Sequence, residues 1–226
     1  MRTPWMMPPA LCLAAAICYG GEAGGESRFV SRPDDPQAVY LTREEFGARG
    51  DGASDDTAAL QQAVDKLQKT RGNGIVFVPA GRYRLTRTVD LWKGVRLIGY
   101  GRTRPVLLLA ADAPAFRDGT CKYLIHFRDA RRPPGGKQAD ARNTTFASGI
   151  LNVNIEIEKP NPAAAAVRYN VAQLCTLKHM DFRLGDAKAG VAQIGNEIVA
   201  CRFFGGRHAV TTGRTSAGWQ ALLMDC

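Results

Sequence analysis

The chain has 226 residues, 45% hydrophobic and 23% charged, which supplies enough apolar surface for a sizeable core and argues against disorder. Its formal charge is +9, a balance that favours anionic partners such as acidic polysaccharides. The Arg and Lys residues are spread along the chain, however, with no zinc-finger spacing and no RNP-like aromatic motif, so nucleic acid is excluded as the expected partner.

The first segment has the form of a signal peptide, residues 1–23. Arg2 gives a short positive region, Ala10 to Tyr19 an apolar stretch, and Gly21-Glu22-Ala23 small residues before a cleavage point. The apolar stretch is far shorter than the ~20 residues that cross a bilayer, so no membrane anchor is expected after cleavage. Removal takes one basic and one acidic residue and leaves the charge at +9. Export predicts a secreted or periplasmic protein. Cys12 and Cys18 leave with the leader, and Cys121, Cys175, Cys201 and Cys226 remain. None forms a Cys-x-x-Cys, which removes zinc-ribbon and thioredoxin-like readings.

Residues 24–41 are polar and rich in Pro and Asp, an extended lead-in. The block from Phe46 to Thr57 (FGARGDGASDDT) then packs turn formers into a tight loop, and Ser54, Asp55 and Asp56 offer N-cap oxygens to a helix beginning near Thr57. Leu60, Ala63, Val64 and Leu67 form a single apolar stripe on it. The sequence Arg71-Gly72-Asn73-Gly74 predicts its end. Short runs bounded by Gly or Pro follow: Ile75 to Val78, Tyr83 to Leu91, Gly94 to Gly99 and Val106 to Ala110. Gly99-Tyr-Gly101 does not open a dinucleotide-binding turn, because Arg104 and Pro105 follow where a helix would start.

The second half repeats. Leu151 to Ile155, Lys178 to Phe182, Val199 to Phe203 and Leu223 to Cys226 share an apolar-polar-apolar form. Aligning Val153, Met180, Cys201 and Met224 gives spacings of 27, 21 and 23 residues, a solenoid period. The leucine-rich-repeat pattern is absent. The Gly-rich stretch from Gly185 to Asn196 suits a β-helix better. In this register Met180, Cys201 and Met224 share one inward ladder, and Phe182, Phe203 and Cys226 the next. Buried free thiols are then expected in preference to disulfides.

The segments Phe46 to Val64, Val76 to Tyr83 and Leu97 to Gly101 together resemble the opening of the pectate-lyase superfamily, the rhamnogalacturonase, epimerase and polygalacturonase-related group. The resemblance is dense over about residues 42–110 and looser beyond. It implies a right-handed parallel β-helix with an N-terminal capping α-helix over residues 42–226, its last repeat ending within a strand at Cys226, so that the domain is expected to be incomplete at its C-terminus. It also implies an exported carbohydrate-active protein, a glycoside hydrolase or polysaccharide lyase acting on a cell-wall or extracellular polysaccharide, with non-catalytic glycan binding or adhesion as the alternative. No cofactor is implied, and oligomeric state is left open.

The candidate chemistry is sparse, and the catalytic residues stay unknown at this level. Asp51, Asp55 and Asp56 look like paired acids but suit helix capping better. Asp181 and Asp225, with Arg202 between them, form an outward row able to bind sugar hydroxyls, or simply an ion-pair ladder. His126, His179 and His208 lack metal-ligand spacing. The stretch from Arg128 to Thr145 is a basic Pro/Gly-rich insertion carrying Arg131, Arg132, Lys137 and Arg142, and it contains the sequon Asn143-Thr144-Thr145.

Overall fold

The computed structural model describes residues 26–120, 122–129, 138–213 and 221–226. The expected signal peptide, Cys121 and the insertion residues Arg131, Arg132 and Lys137 lie outside them. No helix among the described residues is long and apolar enough to cross a membrane.

The chain begins with β1 (Val39–Tyr40), α1 (Arg43–Phe46), β2 (Asp51–Asp55) and α2 (Thr57–Arg71). It then winds in coils. The first holds β3 (Gly74–Pro79), β4 (Arg82–Leu85) and β5 (Val89–Leu91). The second holds β6 (Val95–Tyr100), β7 (Val106–Leu109), the short α3 (Pro114–Arg117) and β8 (Tyr123–Phe127). β9 (Gly149–Leu151), β10 (Asn154–Ile157) and β11 (Ala165–Arg168) make the third. In the next two, one longer strand replaces the first pair: β12 (Thr176–Arg183) with β13 (Ala189–Ala192), then β14 (Glu197–Phe204) with β15 (Val210–Thr211). β16 (Leu222–Met224) closes the described chain.

Equivalent strands of successive coils pair in parallel. β1, β3, β6, β9 and the start of β12 build a first face, and β2, β4, β7, β10 and the end of β12 a second. β5, β8, β11, β13 and β15 form a third. This stack is a parallel β-helix. Its interior is filled by aliphatic and aromatic side chains such as Leu97, Leu107, Ile150, Ile155, Leu177 and Phe182, all fully buried.

A row of left-handed residues turns the first face into the second. Asn152, His179, Ala200 and Asp225 have φ of 57, 52, 50 and 52°. Each follows a residue aligned across coils, Leu151, Lys178, Val199 and Met224. Gly99 holds the same place one coil before Asn152, where a Cβ would come within 2.0 Å of the Asn152 carbonyl oxygen. Only glycine fits there. Asn152 braces the bend across coils, its Nδ2 donating to the Gly99 carbonyl at 2.8 Å.

The expected spacings of 27 and 21 residues are the observed ones, with Leu151 against Lys178 and Met180 against Cys201. The third differs. β14 pairs with β16 through Val199 and Met224, a spacing of 25 rather than 23. Cys226, not Met224, therefore continues the line of Cys201. Its thiol repeats the same contacts: Cys201 Sγ donates to the Leu177 and Val199 carbonyls, Cys226 Sγ to those of Ile198 and Met224. Cys175, Cys201 and Cys226 are free thiols, the first two buried and the last exposed. Phe182 and Phe203 stack at 4.7 Å, as the ladder required.

Helix α2 spans the stretch its apolar stripe predicts. Leu60, Ala63, Val64 and Leu67 are fully buried, and the helix packs on β1, β3, β4, β5 and β6. Burying each larger aliphatic side chain contributes ~1.5–3 kcal/mol. Gly72, at φ 75°, ends it. Of the three expected caps, Asp55 and Asp56 divide the labour. Asp55 Oδ1 accepts from the Thr57 amide at 3.0 Å. Asp56, almost wholly buried, instead fastens the preceding loop by accepting from the Arg49 and Gly50 amides at 2.7 and 3.0 Å.

Candidate functional site

The third face carries a groove laid along its stacked strands. Ile125, Val167 and Val191 lie in register and point into the core, fully buried. Two further aligned rows flank them, Tyr123–Ala165–Ala189 two residues before and His126–Arg168–Ala192–Thr211 one residue after. The small alanines leave a flat shelf, and a recess of about 460 Å³ opens over it, walled by Lys122, Tyr123, Arg168, Lys188, Gln193 and Thr212 among others.

Lys122 and Lys188 sit two coils apart on one line, since Ala165 N bonds to Lys122 O and Lys188 N to Ala164 O. With ~4.8 Å between parallel strands, their backbones are ~10 Å apart. Both side chains are exposed, and neither is in an ion pair among the described residues.

At one end of the shelf stands a titratable cluster. His126 Nε2 lies 2.9 Å from Asp140 Oδ1, and Arg168 Nε and Nη2 donate to Asp140 Oδ2 at 3.2 and 2.8 Å. Burial raises the Asp140 carboxyl, but the His126 hydrogen bond and the Arg168 guanidinium outweigh it and bring it down to about 2. An ionised carboxylate can only accept, so His126 donates to Asp140 from Nε2. Tyr123 meets the His126 ring edge-on at 5.1 Å, and the Arg168 guanidinium lies 5.8 Å from the Tyr123 ring centre. Such a site combines an aromatic face for a sugar ring with cations for carboxylates.

The residues singled out in the sequence fall elsewhere, with one exception. Asp51 accepts from the Ala53 and Ser54 amides and the Ser54 hydroxyl, which hold it at about 2, and Asp55 also accepts from Thr86 Oγ1. With Asp56 they organise the loop before α2 and do not line this groove. Asp181 and Arg202 pair across β12 and β14 as expected. Asp225 does not join them. The two-residue shift of β16 places it in line with Ala200 and His179, at the bend between the first and second faces. Of the histidines, His126 belongs to the groove, His179 to the bend, and exposed His208 lies past the alanine shelf, accepting from Gly190 N. No group of three metal-ligating side chains exists among the described residues. Within the insertion, Arg128 pairs with Asp90 and Arg142 with Asp129, so both serve local bracing, while Asn143 is exposed. Tyr123, Asp140 and Arg168 gave no sequence signal, because they reach the site from β8, the insertion and β11.

Three parallel faces wound about one core define the protein as a β-helix. The chain belongs to the family Rhamnogalacturonase A/epimerase, pectate lyase-like, which fits residues 43–218. It is 25% identical over 194 residues to a glucan 1,3-beta-glucosidase of Cochliobolus carbonum, covering 79% of this chain and 24% of that protein. It is 41% identical over 80 residues to mannuronan C5-epimerase AlgE3 of Azotobacter vinelandii, covering 32% of this chain and 4% of that protein. The chain thus spans a quarter or less of these relatives. Among solved structures it resembles PfbA, a surface adhesin of Streptococcus pneumoniae, with a TM-score of 0.50 and 19% identity over 82% of this chain and 46% of the adhesin. That likeness is one of fold.

Proposed function

We propose that this chain supplies the opening coils of an exported carbohydrate-active β-helix protein, a glycoside hydrolase or polysaccharide lyase, which holds an acidic polysaccharide along its third face. The observation that carries the reading is the pair of exposed lysines, Lys122 and Lys188, without ion-pair partners among the described residues and ~10 Å apart along an alanine shelf beside Tyr123. A glycan lying across the coils would place carboxylates on both lysines while a ring rests on the tyrosine. The family and the names borne by the relatives support carbohydrate as the ligand class. The apolar leader of residues 1–23 supports export to the periplasm or medium.

A second reading, glycan binding without catalysis, is favoured by the state of Asp140. Both its oxygens are engaged by His126 and Arg168, as in a structural brace. Incubation with polygalacturonate, alginate and laminarin separates the readings. New reducing ends mark a hydrolase, absorbance from unsaturated uronide a lyase, and retention without product a binding protein. The absence of both product and retention with all three polysaccharides contradicts the proposal.

A further inference from the structure

A second recess, of about 730 Å³, lies away from the third face, at the bend between the first and second. It owes its shape to the row of left-handed residues. Ala200, the smallest of them, leaves a notch between His179 and Asp225. Its walls are charged and preorganised. Arg104, nearly buried, donates to the His179 carbonyl at 2.9 Å and to Asp181 Oδ2 at 3.2 Å. Arg202 is aligned by two 2.8 Å bonds to Asp181, yet its side chain is 60% exposed. Arg28 borders the recess because the lead-in is tied down: Arg28 N donates to Asn152 Oδ1, and Asn152 Nδ2 to Ser27 Oγ.

The balance of charge there is positive. Asp181 is spent on two guanidinium groups. Neither Arg28 nor neighbouring Lys178 has an ion-pair partner among the described residues. Glu26 and Asp225, both exposed, are the acids on the rim. His179 reports the field: burial first, then Arg28, Lys178 and Arg104, hold its imidazole below the usual value of 6.5, so it stands neutral at pH 7. An arriving anion would relieve that repulsion.

We propose that this recess is an oxyanion-binding site, taking a sulfate or carboxylate group between Arg28, His179 and Arg202. It is independent of the third-face groove and of the polysaccharide reading, since inorganic sulfate suffices to test it. The His179 ring resonances are followed by NMR during titration with sodium sulfate, with sodium chloride at matched ionic strength as control. Saturable movement with sulfate is expected, weakened at least ~10-fold by Arg28→Gln and by Arg202→Gln, and unaffected by Lys122→Ala/Lys188→Ala. Arg28→Gln removes an exposed side chain with no ion-pair partner among the described residues, so the fold is kept. Sulfated and uronate oligosaccharides form the second arm. Tighter binding than inorganic sulfate assigns the anion to a glycan, and equal binding to a free ion. A sulfate response no larger than that to chloride, or one that survives both arginine variants, overturns the site.

Discussion

Asp181 and Arg202, side by side on neighbouring coils, are joined by two N–H···O bonds of 2.8 Å, and the same carboxylate takes a third bond from Arg104 at 3.2 Å. The Asp181 side chain is 4% exposed and that of Arg104 7%, whereas Arg202 is 60% exposed. The two arginines therefore differ in what their partner does for them. Asp181→Asn removes the carboxylate to which buried Arg104 donates and should destabilise the fold by ~3–5 kcal/mol. Arg202→Gln, whose loss water can compensate, should cost ~1 kcal/mol or less. Urea denaturation of the two variants checks the order, and equal losses would show that the burial difference has no energetic weight.

Asp56 gives a parallel case in the loop before α2. Its carboxylate accepts from the Arg49 and Gly50 amides while almost wholly buried. Asp56→Ala strands both donors and is expected to cost ~1–3 kcal/mol. Asp51→Ala, at an exposed site, should cost less. Paired denaturation curves decide, with a larger loss at Asp51 the contrary result.

The thiols should separate by reactivity. Burial pushes Cys201 up to about 12 and Cys175 up to about 11, so neither presents a thiolate at pH 8. Cys226 is exposed. Alkylation of the folded protein mapped by mass spectrometry should label Cys226 and spare Cys175 and Cys201. Labelling of Cys201 at the rate of Cys226 would contradict the inward ladder.

Asp140 links the groove cluster to pH. Its carboxyl lies at about 2 when folded, against an ordinary 3.8. A depressed folded value means that its contribution to stability is fully present above pH ~4 and is lost as pH falls through about 2. Asp140→Asn should therefore be less stable than the parent at neutral pH, with the two stability curves converging between pH ~4 and ~2. Denaturation midpoints collected across that window test this, and curves that stay parallel would remove the His126–Asp140–Arg168 cluster as a source of stability.

Much of the fold is legible in the sequence because its determinants are local. The apolar stripe of α2 and the Gly72 stop fix the helix, and the 27- and 21-residue spacings fix three coils. The last coil takes a register two residues from the expected one for a physical reason. A two-residue slip keeps every side chain on its own face, so alternation alone does not distinguish Met224 from Cys226 as the partner of Cys201. The left-handed bend residues separate the registers, but His, Ala and Asp at such a bend give no common sequence mark. The groove was harder still. Asp140 meets His126 from 14 residues away, across the insertion, and Arg168 joins from the next coil. Their approach is set by the stacking of strands, not by any spacing along the chain.

The central claim, that the third face holds an acidic glycan through Lys122 and Lys188, is tested most directly by affinity electrophoresis in gels containing polygalacturonate, alginate or laminarin, comparing the parent with Lys122→Ala/Lys188→Ala. Both lysines are exposed and in no ion pair among the described residues, so the variant should fold as the parent does. The account predicts retardation of the parent by at least one polyuronate, lost or reduced at least ~10-fold in the variant, with little effect of the neutral glucan in either. Equal retardation of parent and variant in the polyuronates, or retardation by laminarin alone, would contradict it.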